Sequence, residues 1–215
     1  MSKVTIAGDA NGTGVFTIAA PNGNTNRTLT LPDEAGTVLT TAGVPASAMP
    51  AGSVLQVVQA IKTDSMAAAP GALWADVPGQ GGAGAFSATI TPSSASSKIL
   101  IMVDMKGAGA VDASIMRTRL VRGSTPIYVG DAAGNRPQSL SQFYVASAAA
   151  TFHVVQLGGT FLDSPNTTGS TTYKLQFGGD NTVTVLYINR AQSDRNGANS
   201  DSRVAASIIL MEIAG

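Results

Sequence analysis

From Val54 onward the chain sets apolar and polar residues against each other in short runs. Val54–Ile61 puts Leu55, Val57 and Ile61 on one side and Gln56 on the other, the period of two that a strand requires. Ala85–Thr91 sets Phe86, Ala88 and Ile90 against Ala85, Ser87 and Thr89. Thr171–Phe177 alternates most cleanly, with Tyr173, Leu175 and Phe177 opposing Thr172, Lys174 and Gln176. It reads as a strand with one wet face. Further strands are expected at Lys98–Met105, Ser114–Arg122, Pro126–Val129, Phe152–Leu157, Thr182–Asn189 and Ala205–Ile213. Turn residues separate them: Gly107-Ala108-Gly109, Arg122-Gly123, Asp131 to Asn135, Ser164-Pro165-Asn166, Gly178 to Asn181 and Asn196-Gly197. About nine strands without a helical period predict an all-β fold, an antiparallel β-sandwich of jelly-roll type.

Two segments break the alternation. Ile99–Val103, ILIMV, and Ile208–Met211, IILM, are apolar at every position. An antiparallel sandwich buries one face of a strand, so the second apolar face needs cover. A partner subunit would cover it, and so would a loop of the same chain over a central strand. Ile99, Ile101, Ile209 and Met211 are the candidate subunit-interface positions.

Residues 1–50 read differently. Their large apolar side chains are Val4, Ile6, Val15, Phe16, Ile18, Leu29, Leu31, Val38 and Leu39, in short pieces broken by Gly, Asn or Pro. So few cannot offset the ordering entropy of the segment in a lone chain. The segment is expected to be disordered or to pack against other copies of itself. Ala42–Gly52, with Pro45 and Pro50, reads as a linker. The chain therefore divides into an arm with linker, 1–50, and a sandwich, 51–215.

Composition narrows the function. Charged residues make up 12% of the chain, against roughly 25% in ordinary domains. The 13 Lys+Arg and 13 Asp+Glu cancel, which disfavours nucleic-acid binding through a basic surface. Cysteine is absent, which removes disulfides, zinc–thiolate sites and a thiol nucleophile. His153 is the single histidine, so a multi-histidine metal centre is excluded. No apolar stretch approaches the ~18 residues of a membrane span, so membrane insertion is not expected. The opening MSKVTIAGDANG lacks the apolar core of a secretory signal.

Candidate chemistry is sparse. Gly79-Gln80-Gly81-Gly82-Ala83-Gly84 matches G-x-G-x-x-G, but the dinucleotide fingerprint needs a helix after it and a strand follows here. It reads as a glycine loop, and no cofactor is expected. His153 sits between apolar neighbours, and no G-x-S-x-G elbow exists to supply a nucleophile; it reads as a residue on the polar side of a strand. Asn189–Arg203 is the densest polar cluster. Its Asp194, Asn196, Asn199 and Asp201 are oxygen ligands of the kind calcium takes, but their spacing does not fit the EF-hand loop. Asp194 and Asp201 pair equally well with Arg190, Arg195 or Arg203, which favours a structural polar hairpin loop. Trp74 lies in an apolar stretch and reads as core or interface, with a sugar-stacking platform as the other role. No catalytic or metal-binding residue stands out, and the chain is expected not to be an enzyme.

One segment is familiar. Asn26 to Thr41, NRTLTLPDEAGTVLTT, resembles the NRTLTLPD-x-x-GTVLTT segment of tail-fibre proteins of tailed bacteriophages. Two later blocks resemble a head domain found behind it. One is Trp74 to Gly79 followed by Thr89 to Ile101; the other runs from Leu162 to Pro165 through Thr172 to Gln176 and Tyr187 to Arg190 to Ile208 to Ile213. The resemblance implies a homotrimeric virion fibre, an interwoven β-rich shaft ending in a sandwich knob comparable to C1q and tumour-necrosis-factor heads. Leu29, Leu31, Val38 and Leu39 would then face sister chains in the shaft, and the two-faced strands would close a three-fold interface. The implied partners are the chain itself, other virion proteins through the arm, and a host cell-surface glycan or outer-membrane protein. The implied location is the virion, after synthesis in the bacterial cytoplasm. Only about 25 residues precede the motif, which also fits a head or neck fibre or a capsid decoration protein with a purely architectural role. A depolymerising tail spike is disfavoured, because the β-helix repeat is absent. Receptor contact is expected on the long polar loops Asp131–Gln142, with Asn135, Arg136 and Gln138, and Arg190–Arg203, with Arg195, Asn196 and Asn199. Their amides and guanidinium groups suit sugar hydroxyls and phosphates.

Overall fold

The computed structural model describes residues 11–15, 17, 22–26, 28, 44, 46–69, 74–109, 114–145, 152–180 and 185–215. The chain divides into two units, Met1–Leu39 and Thr40–Gly215. Every described residue of the first unit is exposed. Leu29, Leu31, Val38 and Leu39 lie outside the described residues.

The second unit is all-β. Its strands are β1 (Val54–Lys62), β2 (Met66–Ala68), β3 (Ala75–Asp76), β4 (Ser87–Ile90), β5 (Lys98–Asp104), β6 (Lys106–Gly109) and β7 (Ser114–Arg122), then β8 (Thr125–Ile127), β9 (Ser141–Val145), β10 (Val155–Gln156), β11 (Gly159–Asp163), β12 (Thr171–Gly179), β13 (Leu186–Ile188) and β14 (Ala206–Ile213). One sheet runs β1-β14-β5-β11 and is prolonged in the same order as β2-β13-β6-β10. Thus β5 and β6 are halves of one bent strand interrupted at Met105, and β1–β2 and β10–β11 repeat the pattern. The facing sheet centres on β12 and β7, with β3 and β4 on the free edge of β12 and β8 and β9 on that of β7. Taking β1, β4, β5, β7, β8–β9, β11, β12 and β14 as the principal strands, the sheets read first-eighth-third-sixth and second-seventh-fourth-fifth. That is the strand order of a jelly roll.

Several expectations need correction. Gly107 to Gly109 is not a turn but lies in β6. A Cβ on Gly107 would stand 2.8 Å from the Tyr187 carbonyl oxygen and 3.0 Å from Leu186 Cδ1, so this glycine marks a close strand approach. The expected loop Asp131–Gln142 ends early, because Ser141 and Gln142 belong to β9. The strand expected at Phe152–Leu157 shrinks to Val155–Gln156, leaving His153 exposed ahead of it.

The core lies between the two sheets. Ile99, Ile101, Val103, Ile208 and Leu210 meet Ile90, Met116, Leu120, Tyr173, Leu175 and Phe177, all buried. Ile99 and Ile101 are 0% exposed within one chain, which removes them as subunit-interface positions. The outward residues of the same strand are Leu100 and Met102, partly buried, as are Ile209 and Met211.

Buried charge closes both ends of this core. Ile99 pairs with Glu212 on one side and Asp163 on the other. Glu212, 1% exposed, accepts bonds from the Ser93 N–H at 2.7 Å, the Ser93 hydroxyl at 2.6 Å and Gln56 Nε2 at 2.5 Å. Asp163 accepts both its contacts from Arg122 Nη1, at 2.9 and 2.8 Å, and a third bond from the Tyr173 hydroxyl at 2.6 Å. Burial first, then the bond to Asp163, pushes the Tyr173 phenol far up. At the opposite end Lys62, fully buried, donates to Asp64 Oδ1 and to the Gly79 carbonyl, each at 2.8 Å. Burial alone would raise the Asp64 carboxyl, but the bond and charge of Lys62 and the Gly81 N–H hold it below its ordinary value.

Glu212 makes the fold acid-sensitive. Burial alone would raise its carboxyl, but the Ser93 and Gln56 bonds outweigh that and hold it below its ordinary value. A depressed folded value means stability that is complete above the unfolded pKa and lost as pH falls through the folded one. Replacing Glu212 with Gln should therefore flatten the fall in melting temperature between roughly pH 5 and pH 2, read by circular dichroism against the unmodified chain.

Candidate functional site

The outward face of the first sheet is apolar across its width. Val57 stands opposite Met211, Met211 opposite Leu100, and Leu100 opposite Leu162. One row thus crosses all four strands, and Val57 and Leu162 at its ends are 56% and 46% exposed. A second row carries Ile209 and Met102 between Gln59 and Thr160, and Ile61 lies beyond it, exposed. Antiparallel sheets that face water normally alternate to polar residues on that side. This one does not.

The outward face of the second sheet is polar. Asp76 stands opposite Gln176, and Gln176 opposite Arg119. Gln176 Nε2 donates to Asp76 Oδ1 at 2.7 Å, and Lys174 Nζ donates to Asp76 Oδ2 at 2.8 Å. Burial would raise the Asp76 carboxyl, but the Lys174 and Gln176 bonds and the charges of Lys174 and Arg119 hold it down. Arg119 Nε donates to Gln176 Oε1 at 2.8 Å, and its guanidinium carbon lies 4.3 Å from the centre of the Trp74 ring. Burial lowers the Arg119 guanidinium and the Asp76 charge opposes that. Trp74 is partly exposed and stands outside the buried core. Two positions along β7, Arg117 Nη1 donates to the Gly179 carbonyl at 2.8 Å and Nε to Gln142 at 3.3 Å.

The two polar loops are anchored to different elements. Between β8 and β9 the chain turns at Gly134, whose φ is 59°. Gln138 Nε2 closes the loop onto the Gly130 carbonyl at 2.6 Å, and Arg136 folds back on the Ala133 carbonyl through its N–H and Nη1, both at 3.2 Å. Asn135, Arg136 and Gln138 are exposed. At its base Tyr128 stacks on Phe161 with ring centres 4.8 Å apart, and the Leu140 N–H reaches the Thr118 carbonyl at 2.7 Å.

The second loop is not a hairpin. The Val204 N–H donates to the Asn189 carbonyl at 3.1 Å, so the ends of the excursion meet between β13 and β14, as in an Ω-loop. Asn189, buried and at φ 59°, donates its amide to the Lys62 and Asp64 carbonyls at 2.8 and 3.1 Å. Nothing in the sequence marks Asn189 as an anchor; in the structure it occupies a backbone region that Asn tolerates better than most residues. Asp201 accepts from the Ser193 hydroxyl, the Arg195 N–H at 2.8 Å and Arg195 Nη2 at 3.0 Å. Arg195 first, then Ser193, draws its carboxyl down to about 2. Asp194 pairs with Arg190 at 3.3 Å and Arg203 at 2.6 Å, and Arg203 also reaches Ser65. The carboxylates weighed as calcium ligands are thus taken by arginines. Among the described residues no group of three or more acidic, His or Cys side chains is placed to hold a metal. The Arg195 guanidinium lies over the Phe152 ring at 4.3 Å, while Asn196 and Asn199 are exposed.

The glycine motif is a loop, as expected. Gly79 N–H bonds the Gly84 carbonyl at 3.0 Å, Pro78 bridges Ala85, and β4 follows. Among the described residues no helix is long and apolar enough to cross a membrane. Compared with known proteins, the chain matches no family model and no curated protein.

Arg195→Ala removes the largest influence on Asp201. Its carboxyl should titrate well above about 2, toward the ordinary value near 4. A carbonyl-carbon NMR titration of Asp201 checks this, and an unchanged midpoint would contradict the arrangement.

Proposed function

We propose that this chain is a non-enzymatic structural protein of a bacteriophage virion, a homotrimeric fibre whose sandwich knob meets the host surface. The observation that carries the assembly is the apolar row Val57, Met211, Leu100 and Leu162, open on the outside of a sandwich that already has a complete core. A four-stranded face of this length offers roughly 450 Å² per chain, and two such faces approach the ~1,000 Å² that a stable interface needs. A second copy is the fitting cover, because every chain brings the same apolar row and the molecule carries few charges to solvate it. The tail-fibre-like segment from Asn26 to Thr41 supports the virion assignment. In this reading residues 1–50 attach the fibre to other virion proteins, and the knob binds a glycan or outer-membrane protein of the host.

Sedimentation of the full chain tests the assembly. The expected mass is about three times 21.6 kDa. Met102→Glu should shift it to a folded monomer, since an unpaired carboxylate buried at an interface costs several kcal/mol. A folded monomer of the unmodified chain at micromolar concentration would overturn the proposal. A trimer that fails to adsorb to host cells would leave an architectural virion component instead.

A further inference from the structure

The outer face of the second sheet gathers charge in a chain that has none to spare. Arg117, Arg119 and Lys174 stand there with Asp76, and Asp180 at the margin accepts the Ile115 N–H at 3.2 Å. The face carries three cations against two carboxylates, and Asp76 is engaged by Lys174 and Gln176, which leaves Arg117 and Arg119 without an ion-pair partner among the described residues. Arg119 is its centre. The Trp74 ring and the Gln176 oxygen fix its guanidinium, while its two terminal nitrogens have no partner among the described residues. A planar fork held from behind and open in front is the geometry that takes a carboxylate through two parallel bonds. Because the side chain is already ordered, little of its rotamer entropy is left to lose on binding. Arg117 stands two residues along the same strand, roughly 7 Å away. Trp74 is partly exposed at one side, and Tyr144, 58% exposed, stands opposite Ile115 on β9. Trp74 braces the guanidinium, and the exposed Tyr144 ring suits the C–H face of a sugar. Among the described residues the surface is an open sheet rather than a pocket, which fits a polymer laid across it.

We propose that this face, centred on Arg119 and Trp74, binds a polysaccharide that carries carboxylate groups. The inference deepens the proposed host recognition and rests on that reading in one respect: assembly through the first sheet turns the second sheet outward. It moves recognition from the loop tips to the sheet, where the binding groups are braced by strand pairing.

The chain supplies its own probe, because Trp74 is its single tryptophan. Titrating the full chain with polygalacturonate should give a saturable change in tryptophan emission, weakened by added salt. Arg119→Gln should weaken that binding at least about tenfold, the scale of a charge-assisted bidentate contact. Arg119→Lys, which keeps the charge without the fork, should also lose several-fold, and Arg136→Ala with Arg195→Ala should leave binding intact. If Arg119→Gln fails to fold, Arg117→Gln should show a loss of the same sign. No saturable response to polygalacturonate would overturn the proposal. So would an equal response to neutral dextran or to polyphosphate, or unchanged binding by folded Arg119→Gln. Sedimentation of the same samples separates the two readings. A trimer without binding overturns this inference alone, and a monomer that binds overturns the assembly alone.

Discussion

The pairing of β5 with β14 sets the rest of the sandwich. Ile101 stands opposite Leu210 and Val103 opposite Ile208, and these residues fill the core. Side chains alternate with a period of two, so the same register places Leu100 beside Met211 and Met102 beside Ile209 on the other side. In most half-buried strands a slip of one residue is forbidden because it would drive polar groups into the core. Here both faces are apolar, and that safeguard is weak. The buried charges supply it instead. Glu212 and Asp163 flank Ile99, and Lys62 faces Ala206 at the far end. Each has partners that only the observed register provides. A slip would leave them buried and unpaired, at a cost of several kcal/mol each.

The sandwich is asymmetric in a way that follows from this register. Its first sheet spends apolar residues on both sides, while its second alternates to Lys174, Gln176, Arg117 and Arg119 on the outside. If two copies met face to face through the first sheet, roughly 900 Å² of apolar surface would leave water, worth about 22 kcal/mol at 25 cal/mol per Å², against an association cost of about 4–15 kcal/mol.

The 189–204 excursion is ordered by a different kind of interaction. Its Asp194 and Asp201 hold Arg190, Arg203 and Arg195 in ion pairs, in which Arg195 and Arg203 are more than half exposed, and pairs open to solvent on one side contribute little net stability. What they fix is shape. The buried Asn189 and the bond from Val204 tie the ends down, so the loop is presented by the sheet rather than supported by it.

Much of the fold was legible because several strands have one wet face. β12 was read almost to the residue from Tyr173, Leu175 and Phe177, and β7 at Ser114–Arg122 with its full bounds. β6 was not, because a glycine chosen for close strand approach looks the same in sequence as one chosen for a turn. The Asp194 and Asp201 pairings were among the readings left open, since spacing names the arginines within reach but not the one that closes. Trp74 and Arg119 are 45 positions apart in sequence, and nothing local joins them; the β3–β12–β7 pairings bring them together. That Ile99–Val103 and Ile208–Met211 are apolar on two sides follows from their residues alone. Which side is inside does not. When every position is apolar, alternation carries no parity, and Ile99 and Ile101 look the same as Leu100 and Met102. Only pairing with β14 and β11, pinned by Glu212 and Asp163, turned the isoleucines of β5 into the core and its Leu100 and Met102 outward.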